Sequence, residues 1–208
     1  MNDSYIDSKN IHKKYPNLVF DVKSKTLVGT LNICKNCRDE IIRGKYSIII
    51  DLNAMPIPYV YDVDGSINTN YSHRYTDGHL CLATDIEQIL FIEKYKKISL
   101  WIEKYVESYF VSYEYFNKYG VYPFGEYSHG KNGILEFYEN YFNLTGEKRS
   151  KEILEYILFK KYRGHDLCPC GSLQKVRKCH KDIILEGKNN ERLKILEEYY
   201  RWITNEKT

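Results

Sequence analysis

Four residues with metal-binding side chains lie close together near the C-terminus: Cys168, Cys170, Cys179 and His180. Their spacing is C-x-C-x8-C-H, and Gly171 allows the tight turn that brings the first pair round. Zinc favours four-coordinate sites of cysteine sulfur and histidine nitrogen, and three cysteines with one histidine form a closed structural set. The segment is too short to bury a core, so metal binding would supply its folding free energy. The sequence therefore predicts a structural zinc knuckle over residues 165–182.

The knuckle closely resembles the SEC-C motif, first recognised at the C-terminus of the SecA translocation ATPase. The resemblance is confined to the segment around the four ligands. Because SEC-C motifs occur as appendages on many unrelated proteins, the resemblance implies docking to a partner and not a reaction.

A second cysteine stands in a setting that suits a nucleophile. Cys81 follows a long polar stretch, residues 64–77, and has His73 and His79 nearby. An unperturbed thiol is mostly protonated at neutral pH, and nearby imidazoles can lower its pKa or donate to an oxyanion. In an extended segment, His79 and Cys81 would share a face. These residues alone are equally consistent with a buried core thiol, because free cysteine is often buried.

The motifs around Cys81 resemble those of the ubiquitin-conjugating (UBC) family. They are Pro56-Ile-Pro58-Tyr-Val60, a polar loop, Asp77-Gly-His-Leu-Cys81-Leu and a long aromatic-rich helix. That family has a first helix, a four-stranded meander and a G-x-(I/L)-C-L turn at its nucleophile. His73 stands where the eukaryotic members have the asparagine of a His-Pro-Asn motif. The later stretch Gly125-Glu-Tyr-Ser-His129-Gly resembles one in bacterial relatives from anti-phage CBASS and ubiquitination-like operons.

The resemblance implies a transferase that carries an acyl group as a thioester on Cys81 and passes it to an amine. His73 would stabilise the oxyanion or position the substrate. His79 and His129 are further catalytic candidates, although His129 could equally cap a helix start beside Gly130. The implied partners are a ubiquitin-activating-type enzyme and a ubiquitin-like modifier or a nucleotidyltransferase of a defence operon. Zinc is the only cofactor expected, and the implied role is bacterial anti-phage defence.

The order of predicted elements indicates an α+β fold. A short helix over residues 4–14 precedes strand-like runs at 18–22, 26–33, 46–52 and 58–63, and helices follow. We therefore expect a UBC-like four-stranded antiparallel meander with flanking helices, plus the C-terminal zinc knuckle between helices. The predicted domains are residues 1–145, a connecting helix at 146–164, the knuckle at 165–182 and a last helix at 183–208. A stripe of apolar residues at helical spacing predicts a core helix: Ile98, Trp101, Ile102, Tyr105, Tyr109, Tyr113 and Phe116.

The remaining sequence features bear on location and on the other cysteines. No apolar run approaches the ~20 residues that span a bilayer, and the N-terminus is polar. We therefore expect a cytoplasmic protein with reduced thiols. Cys34-Lys-Asn-Cys37 is interpreted as two spare thiols in a hairpin loop, with half of a zinc site as the alternative.

Two other functions compete with the transferase. One is a non-catalytic adaptor, in which the UBC-like domain and the zinc knuckle both bind partner proteins. In that case Cys81 has no catalytic role. The other is a nucleic-acid-binding zinc module that uses the basic C-terminal tail. The net charge of only +3 argues against nucleic acid as the partner.

Overall fold

The computed structural model describes residues 5–54, 56–68, 70–125, 127–128 and 130–205. The chain divides into two compact units, Met1–Glu126 and Tyr127–Thr208. The sequence places the end of the first domain at residue 145, whereas the compact units divide at 126–127. The difference arises because helix α5 (Lys131–Phe142) packs against helix α6 (Glu147–Phe159) within the C-terminal unit.

The N-terminal unit contains a four-stranded sheet. Its strands are β1 (Leu18–Asp21), β2 (Thr26–Cys37), β3 (Glu40–Asp51) and β4 (Tyr59–Asp62). All neighbours are antiparallel and the strand order is β1-β2-β3-β4, so the predicted α+β class with an antiparallel meander is confirmed.

Strands β2 and β3 are longer than the sequence predicted. Both continue to a tight turn at Arg38 and Asp39, and Cys37 pairs with Glu40 beside it. Lys35 and Gly44 lie on the inner face of this hairpin and interrupt the apolar alternation, although Ile42 and Tyr46 on the same face are buried. The predicted loop position of Cys34 and Cys37 is therefore wrong, because both lie within β2.

A long helical segment covers the inner face of the sheet. Helix α3 (Ile98–Trp101), a π-helical turn (Ile102–Val106) and helix α4 (Glu107–Tyr119) follow one another directly. The predicted core stripe is confirmed, because six of its residues are buried and the last, Phe116, packs against them. Strand residues such as Leu27 and Ile50 are completely buried in the same core. The sheet and this helical segment thus form the scaffold for the segment between β4 and helix α2 (Asp85–Tyr95).

Shorter helices complete the two units. In the N-terminal unit, α1 (Ser8–Lys14) precedes the sheet and α2 (Asp85–Tyr95) follows the Cys81 segment. In the C-terminal unit, a 3-10 turn at Val176–Lys178 leads to α7 (Lys181–Gly187) and α8 (Asn190–Asn205). Among the residues that the structure describes, no helix is both long and apolar enough to cross a membrane.

Candidate functional site

The predicted metal ligands come together at one point. The ligand atoms of Cys168, Cys170, Cys179 and His180 all lie within 4.8 Å of one another. Cys170 Sγ is 3.5 Å from Cys179 Sγ, and His180 Nδ1 is 3.0 Å from Cys179 Sγ and 3.3 Å from Cys168 Sγ. Tetrahedral ligands at about 2.0–2.3 Å from a zinc ion would lie ~3.3–3.8 Å apart. The cluster could therefore hold a metal ion with small adjustments of its side chains.

A small hairpin carries the first two ligands. Leu167 pairs with Lys175, and the amide of Cys168 donates to the carbonyl of Gln174 at 2.7 Å. Gly171 turns the chain with a φ of +78°, a conformation that glycine adopts without strain. Val176 is completely buried and anchors the return strand, so the 3-10 turn delivers Cys179 and His180 to the start of α7.

Hydrogen bonds outside the cluster orient its ligands. His180 Nε2 lies 2.9 Å from the carbonyl oxygen of Phe142, the last residue of α5. A carbonyl only accepts, so Nε2 carries the proton and Nδ1 keeps its lone pair for the cysteine side of the cluster. The Ser172 hydroxyl lies 3.1 Å from Cys170 Sγ and 3.3 Å from Cys179 Sγ. This arrangement is typical of metal sites, whose ligands are held by second partners.

The thiols of the cluster titrate differently without a metal. Burial raises the pKa of the Cys168 thiol to about 12, so a bound cation would be needed to hold this sulfur as a thiolate at neutral pH. Burial also raises the pKa of Cys170, but hydrogen bonds with Ser172, Cys168 and Cys179 together outweigh it and lower the value to about 7.

The segment before Cys81 folds back on itself. Arg74 pairs with Leu80 across a turn at Asp77 and Gly78, and the amide of Cys81 donates to the carbonyl of His73 at 3.0 Å. Leu80 is buried, and its amide donates to the carbonyl of Val60 in β4 at 2.8 Å. Backbone bonds therefore fix Cys81 beside the sheet, with its side chain partly exposed.

Two tyrosines of α4 hold the preceding loop. The Tyr109 hydroxyl donates to the carbonyl of His73 at 3.0 Å. The Tyr113 hydroxyl donates to the carbonyl of Ser66 at 3.0 Å and accepts from the amide of Asn68 at 2.9 Å. The core helix thus positions the loop that carries the candidate nucleophile.

An aromatic stack lies beside the Cys81 thiol. The His79 imidazole stacks on both Tyr59 and Tyr75, with ring centroids 4.1 Å away in each case. Its Nδ1 atom lies 2.5 Å from a carboxylate oxygen of Asp77. The Tyr75 hydroxyl lies 3.6 Å from Cys81 Sγ. Burial and the hydrogen bond with Cys81 raise the pKa of Tyr75 well above its usual range, so its phenol stays protonated at neutral pH.

The predicted catalytic histidines take different places. His79 lies within the stack, and His73 meets Cys81 through its backbone carbonyl. The His73 imidazole packs edge-on against Tyr122, with ring centroids 5.0 Å apart, and against Tyr71 at 5.4 Å. His129 lies outside the described residues.

Sequence reasoning missed Tyr75, Tyr59 and Asp77. The Asp77-Gly78 dipeptide is the signal that could have found Tyr75 and Asp77, because Asp-Gly between two short extended runs predicts a hairpin turn. The observed turn is one residue longer than a two-residue Asp-Gly hairpin, because Arg74 pairs with Leu80, and it places Tyr75 opposite His79 and diagonally across from Cys81.

Among the described residues, the C-x-x-C pair joins no group of three or more potential metal ligands. Cys34 is exposed and Cys37 is buried, because alternate residues of β2 point to opposite faces of the sheet. In the ranges that the structure describes, the Cys168–His180 cluster is the one group of three or more potential metal ligands that meet.

Comparison of the chain with protein-family models, with curated proteins and with solved structures finds no match. The fold and its clusters define an α+β protein with a four-stranded antiparallel sheet and a C-terminal Cys/His cluster that could hold a metal ion.

Proposed function

We propose that the chain is a ubiquitin-conjugating-like transferase with Cys81 as its nucleophile. One observation carries the proposal: the partly exposed Cys81 thiol is fixed by backbone hydrogen bonds, with a protonated phenol beside it. The element order also supports the proposal, because it matches the order that the UBC resemblance implies. That order is a first helix, a four-stranded meander, a long loop, the cysteine and then further helices.

The proposed reaction is two acyl transfers. The Cys81 thiolate attacks the thioester carbonyl of a ubiquitin-like modifier held on an activating enzyme, and that enzyme's thiolate leaves. An amine of the target then attacks the new thioester, an amide bond forms, the C–S bond breaks to release the Cys81 thiolate, and the surplus proton of the amine passes to solvent. The backbone around His73 positions the sulfur for both steps. The motif resemblance is the basis for proposing that this chemistry serves bacterial anti-phage defence in the cytoplasm.

The C-terminal cluster is proposed as a structural zinc site that supports docking. Three cysteines and one histidine complete a tetrahedral set and leave no position open for substrate. The bond from His180 to the last carbonyl of α5 supports this role, because it joins the cluster to a helix of its own unit.

The test is intact-protein mass spectrometry of the chain expressed with its neighbouring operon genes. We expect the wild type to carry an adduct of a small protein's mass that added thiol removes. Cys81→Ser should trap an ester that resists thiol and is cleaved by alkali, and Cys81→Ala should carry none. Cys34→Ser is the matched control, because Cys34 is an exposed thiol on β2, and it should behave as the wild type.

The adaptor gives a different result. If the operon is active and neither wild type nor Cys81→Ser carries an adduct, the transferase is refuted. A Cys81→Ala variant that keeps full activity in the operon would lead to the same conclusion and would identify the chain as a non-catalytic docking protein.

A further inference from the structure

A phenol contacts the candidate nucleophile. The Tyr75 hydroxyl lies 3.6 Å from Cys81 Sγ, and the imidazole of His79 is engaged by other groups. His79 has a tyrosine ring on each face, its Nδ1 atom bonds Asp77, and its side chain is 14% exposed. His79 is thus well placed to hold the Tyr75 ring.

We propose that Tyr75 is a catalytic residue, whose hydroxyl donates a hydrogen bond to the Cys81 thiolate and so increases the thiolate fraction at neutral pH. This inference rests on the proposed function and identifies the group that activates its nucleophile. Hydrogen bonding to the charged form of a group favours that form. When Sγ attacks the thioester carbonyl, its electron pair forms the new C–S bond and the departing thiolate takes the charge. The proton stays on the Tyr75 oxygen throughout.

The stack fixes the phenol for this role. Tyr75 and His79 are opposite each other in the hairpin, and the Tyr75 amide donates to the His79 carbonyl at 2.9 Å. The His79 ring lies between Tyr75 and Tyr59, and Tyr59 belongs to β4. The hydroxyl is therefore positioned from the sheet, and the ordering of its side chain is complete before substrate arrives.

Other charges also act on this cluster. Asp85 at the start of α2 interacts electrostatically with Tyr75 and with His79. Arg74 and Cys81 both interact electrostatically with Tyr109 of α4. A change confined to the Tyr75 hydroxyl leaves all of these groups in place. Tyr75→Phe therefore isolates the phenol and keeps the ring that stacks on His79.

The test is the rate at which iodoacetamide alkylates Cys81, measured against pH. The full-length, zinc-loaded chain is alkylated in its folded state, and the modified Cys81 is then quantified on peptides from its digest. We expect Tyr75→Phe to raise the apparent pKa of Cys81 by about 1 unit, which lowers its thiolate fraction at pH 7 about tenfold. The remaining thiolate is about threefold more reactive, because nucleophilicity rises with thiol pKa, so alkylation should slow about threefold.

Two controls accompany this measurement. The exposed thiol of Cys34 is an internal reference and should alkylate at the same rate in both proteins. Tyr95→Phe removes a hydroxyl from an exposed tyrosine of α2 and should leave the Cys81 profile unchanged. An unchanged Cys81 pKa in Tyr75→Phe, or a Cys81 that reacts in neither protein, would overturn the inference.

The outcome is separate from that of the proposed function. A wild-type chain that forms no thioester in the complete system refutes the transferase, whatever the alkylation profile shows. A wild type that forms the thioester, together with an unchanged Tyr75→Phe profile, refutes the role of the phenol alone.

Discussion

Removal of one ligand from the C-terminal cluster tests its proposed role most directly. His180→Ala deletes the only nitrogen ligand and also the hydrogen bond to the Phe142 carbonyl. Structural zinc sites of this size bind with about 10–16 kcal/mol, or about 2.5–4 kcal/mol for each of four ligands. We therefore expect zinc affinity to fall roughly 100- to 1,000-fold.

Competition with a chromophoric zinc chelator measures this change, and circular dichroism reports the helices of the C-terminal unit. His165→Ala is the matched control, because this exposed imidazole lies in the same knuckle and outside the ligand set. It should bind one zinc ion with wild-type affinity. His180→Cys restores a fourth ligand without the bond to Phe142, and we expect it to recover most of the affinity.

Two results would refute the reasoning. One is a wild-type chain that binds no zinc after expression and purification in zinc-containing medium. The other is a His180→Ala variant that competes with the chelator as well as His165→Ala does. Either would mean that the thiols and the imidazole approach one another for packing reasons.

Three further changes test the scaffold. Tyr109→Phe removes the donor to the His73 carbonyl and should lower the free energy of unfolding by about 1 kcal/mol in denaturant titration, with faster hydrogen exchange at the Cys81 amide. Lys35→Met leaves the buried Glu107 carboxylate without its 2.6 Å ion pair and should destabilise by about 3 kcal/mol. Gly29→Ala would place its Cβ 1.9 Å from the backbone oxygen of Asn17 at a φ of +146°, and we expect little folded protein by circular dichroism.

Each scaffold prediction has a control in the same unit. Lys14→Met breaks an ion pair with the more exposed Glu103, so it should change stability by less than about 1 kcal/mol. Gly65 also has a positive φ, +66°, but a Cβ added there would meet open space, so Gly65→Ala should fold with a small loss of stability. Tyr119→Phe lies at the exposed end of α4 and should leave exchange at the Cys81 amide unchanged. Equal effects in any pair would contradict the structural reason given.

Local patterns predicted much of the fold. Runs of β-branched and aromatic residues predicted the strands in part, helical periodicity predicted the stripe from Ile98 to Phe116, and ligand spacing predicted the Cys/His cluster. The surroundings of Cys81 could not be predicted from local patterns, because Tyr59 reaches the site through strand pairing and Tyr109 through helix packing. The bond between His180 and Phe142 joins residues far apart in the chain, and it involves a backbone atom that carries no sequence signal.

The tyrosine contacts of α4 have a consequence for how the loop could diverge over time. Tyr109 and Tyr113 bind backbone atoms of His73, Ser66 and Asn68. Every residue type supplies a carbonyl and all except proline supply an amide, so side-chain replacements in the loop leave these bonds available. Under the proposed function, the outward-facing side chains of the loop can thus change to suit a new modifier or target while Cys81 keeps its position. Homologous chains would then differ most in the segment beside Cys81.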